Sequence, residues 1–88
     1  MAKVSARGAH KLGDLTTSWV TSPDDQARDV FTLCSDGRIL RKTQWRYREG
    51  ERVHSTGLKL WARISKPENL NLAWLRARLD RLGYNIAD

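Results

Sequence analysis

Polar and apolar positions alternate along residues 39–48. Ile39, Thr43, Trp45 and Tyr47 fall on one side, with Arg41 as the exception, and Leu40, Lys42, Gln44, Arg46 and Arg48 fall on the other. A period of two is the signature of a strand whose faces meet different surroundings. Glu49-Gly50 then reads as a turn, and the matching register sets Val53 opposite Trp45 and brings Arg52 and His54 to the basic side. Upstream, Ser35-Asp36-Gly37-Arg38 is another turn signal. A two-residue Asp-Gly connection pairs Leu33 with Leu40. A three-residue turn with Gly37 left-handed pairs Leu33 with Ile39 and Phe31 with Arg41. The second register gathers Phe31, Leu33, Ile39, Thr43, Trp45 and Tyr47 on one face, and is the one predicted here if a hairpin forms.

Residues 22–34 fit two descriptions. Ser22-Pro23-Asp24-Asp25 is a good helix start, and Ala27, Val30, Phe31 and Cys34 follow helical spacing. Val30-Phe31-Thr32-Leu33 is also strand-like. Residues 58–64 are equally divided. As a strand, Leu58, Leu60, Ala62 and Ile64 point inward and Lys59, Trp61 and Arg63 outward; as a helix, Leu58, Trp61, Ala62 and Ser65 line one side. The last element is clearer. Leu72, Leu75, Leu79 and Leu82 make one apolar helical stripe. Its start is expected within Ser65-Lys66-Pro67-Glu68, Gly83 stands where a left-handed C-cap belongs, and Tyr84 follows to pack back on the stripe. Asn85-Ile86 is a candidate short terminal strand.

These elements predict an α+β fold: an antiparallel β-hairpin or three-stranded sheet packed against a C-terminal α-helix, with a short N-terminal helix from Ser22 as an option. Leu72, Leu75, Leu79 and Leu82 are expected to pack on Trp45, Ile39 and Ile64. Residues 1–22 are polar and aperiodic and read as a flexible basic arm that docks, if at all, through Trp19 and Val20. Residues 23–88 then form the one small domain that 88 residues allow.

Charge changes the picture. The chain carries 16 Lys+Arg against 10 Asp+Glu, a formal +6. Residues 39–66 alone hold eight of the cations against Glu49 and Glu51, a segmental charge equal to the whole surplus. A clustered positive field attracts polyanions. No apolar run approaches the roughly 20 residues that span a bilayer, residues 1–22 lack a signal-peptide centre, and Cys34 is the one cysteine. A membrane partner is therefore not expected, and a reducing, cytoplasmic setting is.

Catalysis has little support. His54 and Ser55 are adjacent, but neighbouring strand residues face opposite ways. His10, His54 and Cys34 do not make a metal site, and there is no glycine-rich phosphate loop. The chain is read as neither an enzyme nor a cofactor binder. Binding is better supported. On a sheet, Lys42, Gln44, Arg46, Arg52 and His54 form a polar, mostly cationic face, flanked by Arg41 and Arg48. If residues 58–64 are the third strand, Lys59, Trp61 and Arg63 extend it. Lysine and arginine meet phosphates, arginine reads guanine edges and glutamine pairs with adenine. Trp61 is either a stacking surface for an unpaired base or a core residue. A second patch, Trp74 with Arg78 and Arg81 on the last helix, suits a protein hot spot, phosphate contact, or cover over the arm near Trp19.

Two resemblances follow from these residues. Residues 39–82, through the basic hairpin, Ser55-Thr56-Gly57-Leu58 and the helix after it, resemble the three-stranded sheet plus helix of the arm-binding domains of tyrosine recombinases. Residues 56–86, through Leu58 to Ile64 and Leu75 to Ile86, resemble the last two helices and first wing strand of winged-helix regulators. Both families bind DNA, and no site residue is carried over from either. The function expected is nucleic-acid binding, with double-stranded DNA as the partner, by a small regulatory or architectural factor that uses the basic sheet face. The alternative is a module that docks on a larger enzyme through the Trp74–Arg78–Arg81 helix face.

Overall fold

Gly37, at φ 94°, reverses the chain between two ten-residue strands, β3 (Asp25–Cys34) and β4 (Arg38–Tyr47). The structure is a computed structural model that describes residues 10–47, 52–65 and 69–87. Leu33 lies opposite Ile39 and Phe31 opposite Arg41, the register of a three-residue turn with a left-handed glycine. Gly37 donates its N–H to the Cys34 carbonyl, and Asp36 accepts from the Arg38 N–H at 3.1 Å. The turn chemistry thus sets which side of the sheet every later residue of β4 takes.

All the other strands lie along this hairpin, and every pairing is antiparallel. On the outer edge of β3 lie β1 (Lys11–Thr16), against Val30–Cys34, and β2 (Val20–Thr21), against Gln26–Ala27. On the outer edge of β4 lie β5 (His54–Ser55), against Gln44–Trp45, and β6 (Lys59–Arg63), against Arg38–Arg41. The result is a six-stranded antiparallel sheet with one C-terminal helix, α1 (Leu72–Arg81), a small α+β fold.

Several expectations are corrected. Residues 25–34 are a strand, not a helix from Ser22: with β1 and β4 on both sides, the segment satisfies its backbone in the sheet and buries alternate side chains on two faces. Pro23 falls in the turn before β3, closed by the Ser22 N–H on the Asp25 carbonyl, where no ladder donor is needed. Residues 11–21, assigned to a flexible arm, are built into the sheet as β1 and β2; residues 1–9 of that arm lie outside the described residues. Residues 59–63 are a strand, so the winged-helix alternative, which needs a helix there, gains no support. The second turn, at Glu49-Gly50, lies outside the described residues, and its strand pairs His54, not Val53, with Trp45. That one-residue difference carries His54 off the basic face.

α1 begins at Leu72, later than the expected Ser65–Glu68, because Asn71 is the cap: its side-chain oxygen accepts the Trp74 N–H at 2.9 Å. Its end is as read from Gly83, which takes φ 98° while the Tyr84 N–H reaches the Leu79 carbonyl and the Gly83 N–H the Asp80 carbonyl. Leu75 and Leu79 are fully buried against Phe31, Leu33 and Ile39, with Ile86 beside them. Each such side chain contributes about 1.5–3 kcal/mol of burial. Ile64 packs against this core as expected, but Trp45 lies beyond it and Leu82 is 57% exposed. The helix approaches β1 closely: a Cβ on Gly13 would lie 2.6 Å from Leu72 Cδ1. After the cap, Ile86 bridges to Thr17, and the Ala87 N–H reaches the Thr16 carbonyl. The tail thereby covers the outer edge where β1 gives way to β2.

Candidate functional site

Phe31, Leu33 and Ile39 occupy the side of the sheet that α1 covers, so even-numbered residues of β3 and β4 occupy the other. This open face carries Gln26 and Arg28 on β3 and Lys42, Gln44 and Arg46 on β4. Arg28 stands directly opposite Gln44, and Gln26 directly opposite Arg46. The Arg28 Nε donates to Gln44 Oε1 at 2.8 Å, and the Arg46 Nε to Gln26 Oε1 at 2.8 Å. Gln26 in turn donates to the Thr21 hydroxyl at 3.1 Å. Two charge-assisted rungs therefore fix both guanidinium groups.

Trp19, in the break between β1 and β2, completes the arrangement. The guanidinium carbons of Arg28 and Arg46 lie 4.3 and 4.2 Å from its ring centroid. At that distance the ring attracts both cations and restricts their rotamers. Among the described residues, the ion pairs of this face are Lys11–Asp14 at 3.1 Å and Arg38–Asp36 at 2.8 Å. Arg28, Lys42 and Arg46 have no carboxylate partner there.

The lower part of the open face is more nearly neutral. Thr32 donates its hydroxyl to Asp14 Oδ1 at 2.6 Å. Burial works against the charged Asp14 carboxyl, but the Thr32 and Lys11 hydrogen bonds and the Lys11 and Lys42 charges together hold it below its ordinary value. Cys34 is buried beneath this rim, and burial raises its thiol above the ordinary range, which makes it a poor nucleophile. Among the described residues no group of three or more His, Cys, Asp and Glu side chains is placed to hold a metal ion. Among them, too, no helix is long and apolar enough to cross a membrane.

The residues singled out from the sequence are divided by the fold. Lys42, Gln44 and Arg46 share the open face, and Arg63 joins its edge opposite Arg38. Arg41 and Lys59 stand opposite each other on the helix side. Arg52 is exposed outside the strands, and Arg48 lies outside the described residues. Trp61 is corrected: it packs its ring on Phe31 at 4.9 Å and near Tyr84 at 6.2 Å, as part of the core margin and not as an outward platform. A bulge causes this. Leu60 pairs with Leu40 and Ala62 with Ile39, so Trp61 is an extra residue that the alternation does not count. Leu58 and Leu60, expected inward, are about half exposed. On α1, Trp74 packs partly against the core, with the Arg78 guanidinium 5.8 Å from its ring, while Arg81 is exposed in the last turn.

Trp19, Gln26 and Arg28 were not read as site residues. For Gln26 and Arg28 the signal was present: once residues 25–34 are a strand, they continue the polar side. Trp19 had no such signal, because only the packing of the first strands against the hairpin brings it to the arginines. Scans of the chain against protein-family models, curated proteins and solved structures return no match.

Proposed function

We propose that this protein binds nucleic acid through the open face of its sheet, with the phosphates of a DNA duplex as the principal contacts. The observation that supports this reading is the Arg28–Trp19–Arg46 cluster beside Lys42. Both guanidinium groups are held through Nε alone by glutamines, and no described carboxylate neutralises them. Arginines fixed in this way lose little freedom on meeting a phosphate, and their terminal amino groups suit its oxygens. A small regulatory or architectural factor is the role that such binding serves. The helix patch has less support as a docking centre, since Trp74 is partly taken up by the core.

The test is titration of a labelled duplex at two salt concentrations. Binding is expected to weaken with salt, with a logarithmic slope of about −0.9 for each phosphate neutralised. The double variant Arg28→Gln/Arg46→Gln is expected to bind more weakly and to flatten the slope by about 1.8, and Lys42→Gln by about 0.9. Folded variants that bind like the parent protein would remove the proposed face.

A further inference from the structure

α1 covers Phe31, Leu33 and Ile39, but β4 continues beyond them on the same side of the sheet. This outer half presents Arg41, Thr43, Trp45 and Tyr47 from β4, with His54 from β5 and Lys59 from β6. Trp45 and His54 are stacked, with ring centroids 4.2 Å apart and planes 18° from parallel. Tyr47 stands square to Trp45, at 5.4 Å and 89°, and is 58% exposed. The position thus already holds one flat heteroaromatic ring parallel to the indole, in the arrangement an unpaired base takes on an aromatic side chain.

The charges beside it are in conflict. Arg41 and Lys59 are direct cross-strand partners on this face, and like charges so placed repel. Asp29 does not pair with either within ion-pair distance; its carboxylate accepts the Thr43 hydroxyl at 2.9 Å. An anion between Arg41 and Lys59 removes the repulsion. Asp25 and Asp29 lie on the β3 side of the same face, so a polyanion is steered along the β4–β6 side. The Arg41–Lys59 row is about 13 Å from the Trp45–His54 row along the strand, within the reach of a few nucleotides. A neutral peptide or sugar also stacks on such rings but gains nothing from the paired cations.

We infer that this outer half is a stacking site for unpaired nucleobases, in which bases lie on Tyr47 and His54 while the phosphates of the same strand pass Arg41 and Lys59. The inference rests on the reading of the protein as a nucleic-acid binder, and adds single-stranded nucleic acid to its ligands. It uses the opposite side of β4 from the Arg28–Arg46 face, so the two sites are separable by mutation.

The test compares labelled oligothymidine with the duplex by fluorescence anisotropy. Tyr47→Ala/His54→Ala is expected to lower oligothymidine affinity about five- to hundredfold, on the scale of one lost stacking contact, and to leave duplex affinity within twofold. Tyr47→Phe is expected to retain oligothymidine binding, because the ring and not the hydroxyl is used. In the parent protein, oligothymidine is expected to shift the Tyr47 and His54 ring resonances upfield, a reading that does not depend on any variant folding. Duplex binding without oligothymidine binding, oligothymidine binding that the double variant leaves unchanged, or ring resonances that do not move would each overturn this inference and leave the duplex reading standing. Failure to bind either nucleic acid would remove both.

Discussion

Arg46 holds its guanidinium carbon 4.2 Å from the centroid of the Trp19 indole. The two residues belong to opposite sides of the sheet's long hairpin: Trp19 comes from the outer edge of β3, Arg46 from β4. Arg28, on the strand between them, meets the same ring at 4.3 Å. One tryptophan therefore ties three neighbouring chain segments together at the point where the unpaired cations of the open face gather.

Replacement of Trp19 is expected to affect both fold and ligand. Each arginine–ring contact contributes about 0.5–1 kcal/mol at a partly exposed site, so Trp19→Ala is expected to lose about 1–3 kcal/mol with the apolar contact included. Urea unfolding reads that loss. Duplex affinity is expected to fall as well, because the arginines become free to leave their rotamers, and Trp19→Phe is expected to recover part of both. An alanine variant as stable as the parent would show that the ring does not restrain the arginines.

Trp61 is expected to behave as a packing residue. Its ring touches Phe31 and Tyr84 at the margin of the core. Full truncation of a buried tryptophan costs about 3–5 kcal/mol, and Trp61 is only half-buried, so Trp61→Ala is expected near or below the lower end of that range. Against a total of about 5–15 kcal/mol for a small domain, that is a large fraction. Trp61→Phe is expected to be milder, with duplex and oligothymidine affinities within twofold of the parent. A folded Trp61→Phe that has lost nucleic-acid binding would restore the stacking role read from the sequence.

Asp14 provides a stability term that disappears in acid. Burial disfavours its charged form, but the Thr32 and Lys11 hydrogen bonds, with the Lys11 and Lys42 charges, outweigh that effect and set its carboxyl below the ordinary 3.8. A carboxyl depressed by folding stabilises the native state above its unfolded value, and the contribution is lost as pH falls through the folded value. The stability difference between the parent and Asp14→Asn is therefore expected to be constant above about pH 5 and to shrink as the pH drops below 3.8. Denaturant unfolding at a series of pH values measures it. A difference that persists unchanged in strong acid would show that the Asp14 charge carries no stability.

Local chemistry explains what could be read in advance. The β3–β4 register follows from the turn, because Gly37 supplies the left-handed residue of a three-residue connection. The end of α1 follows from Gly83 and Tyr84, which need only the preceding turn of helix. Val53 and Trp61 show where such reasoning stops. The assumed pairing of Val53 with Trp45 depended on a two-residue turn and an unbroken alternation, and His54 takes that place. At Trp61 the bulge adds one residue, and one residue is enough to move a side chain to the other face.

The sequence by itself determined the alternation of β4, the turn that sets its partner, the leucine stripe and cap of α1, and the concentration of cations in residues 39–66. Each of these depends on neighbours within a few positions. Only the tertiary structure decided that Lys42 and Arg46 share a face with Arg28 while Arg41 and Lys59 oppose each other on the reverse. It also decided that Trp19 belongs to the arginines, that Trp61 belongs to the core, and that the C-terminal tail seals the sheet beside Thr17. Those outcomes depend on which distant strands meet and in what register. That choice is made by the burial of Phe31, Leu33 and Ile39 under α1, a condition no short window of sequence contains.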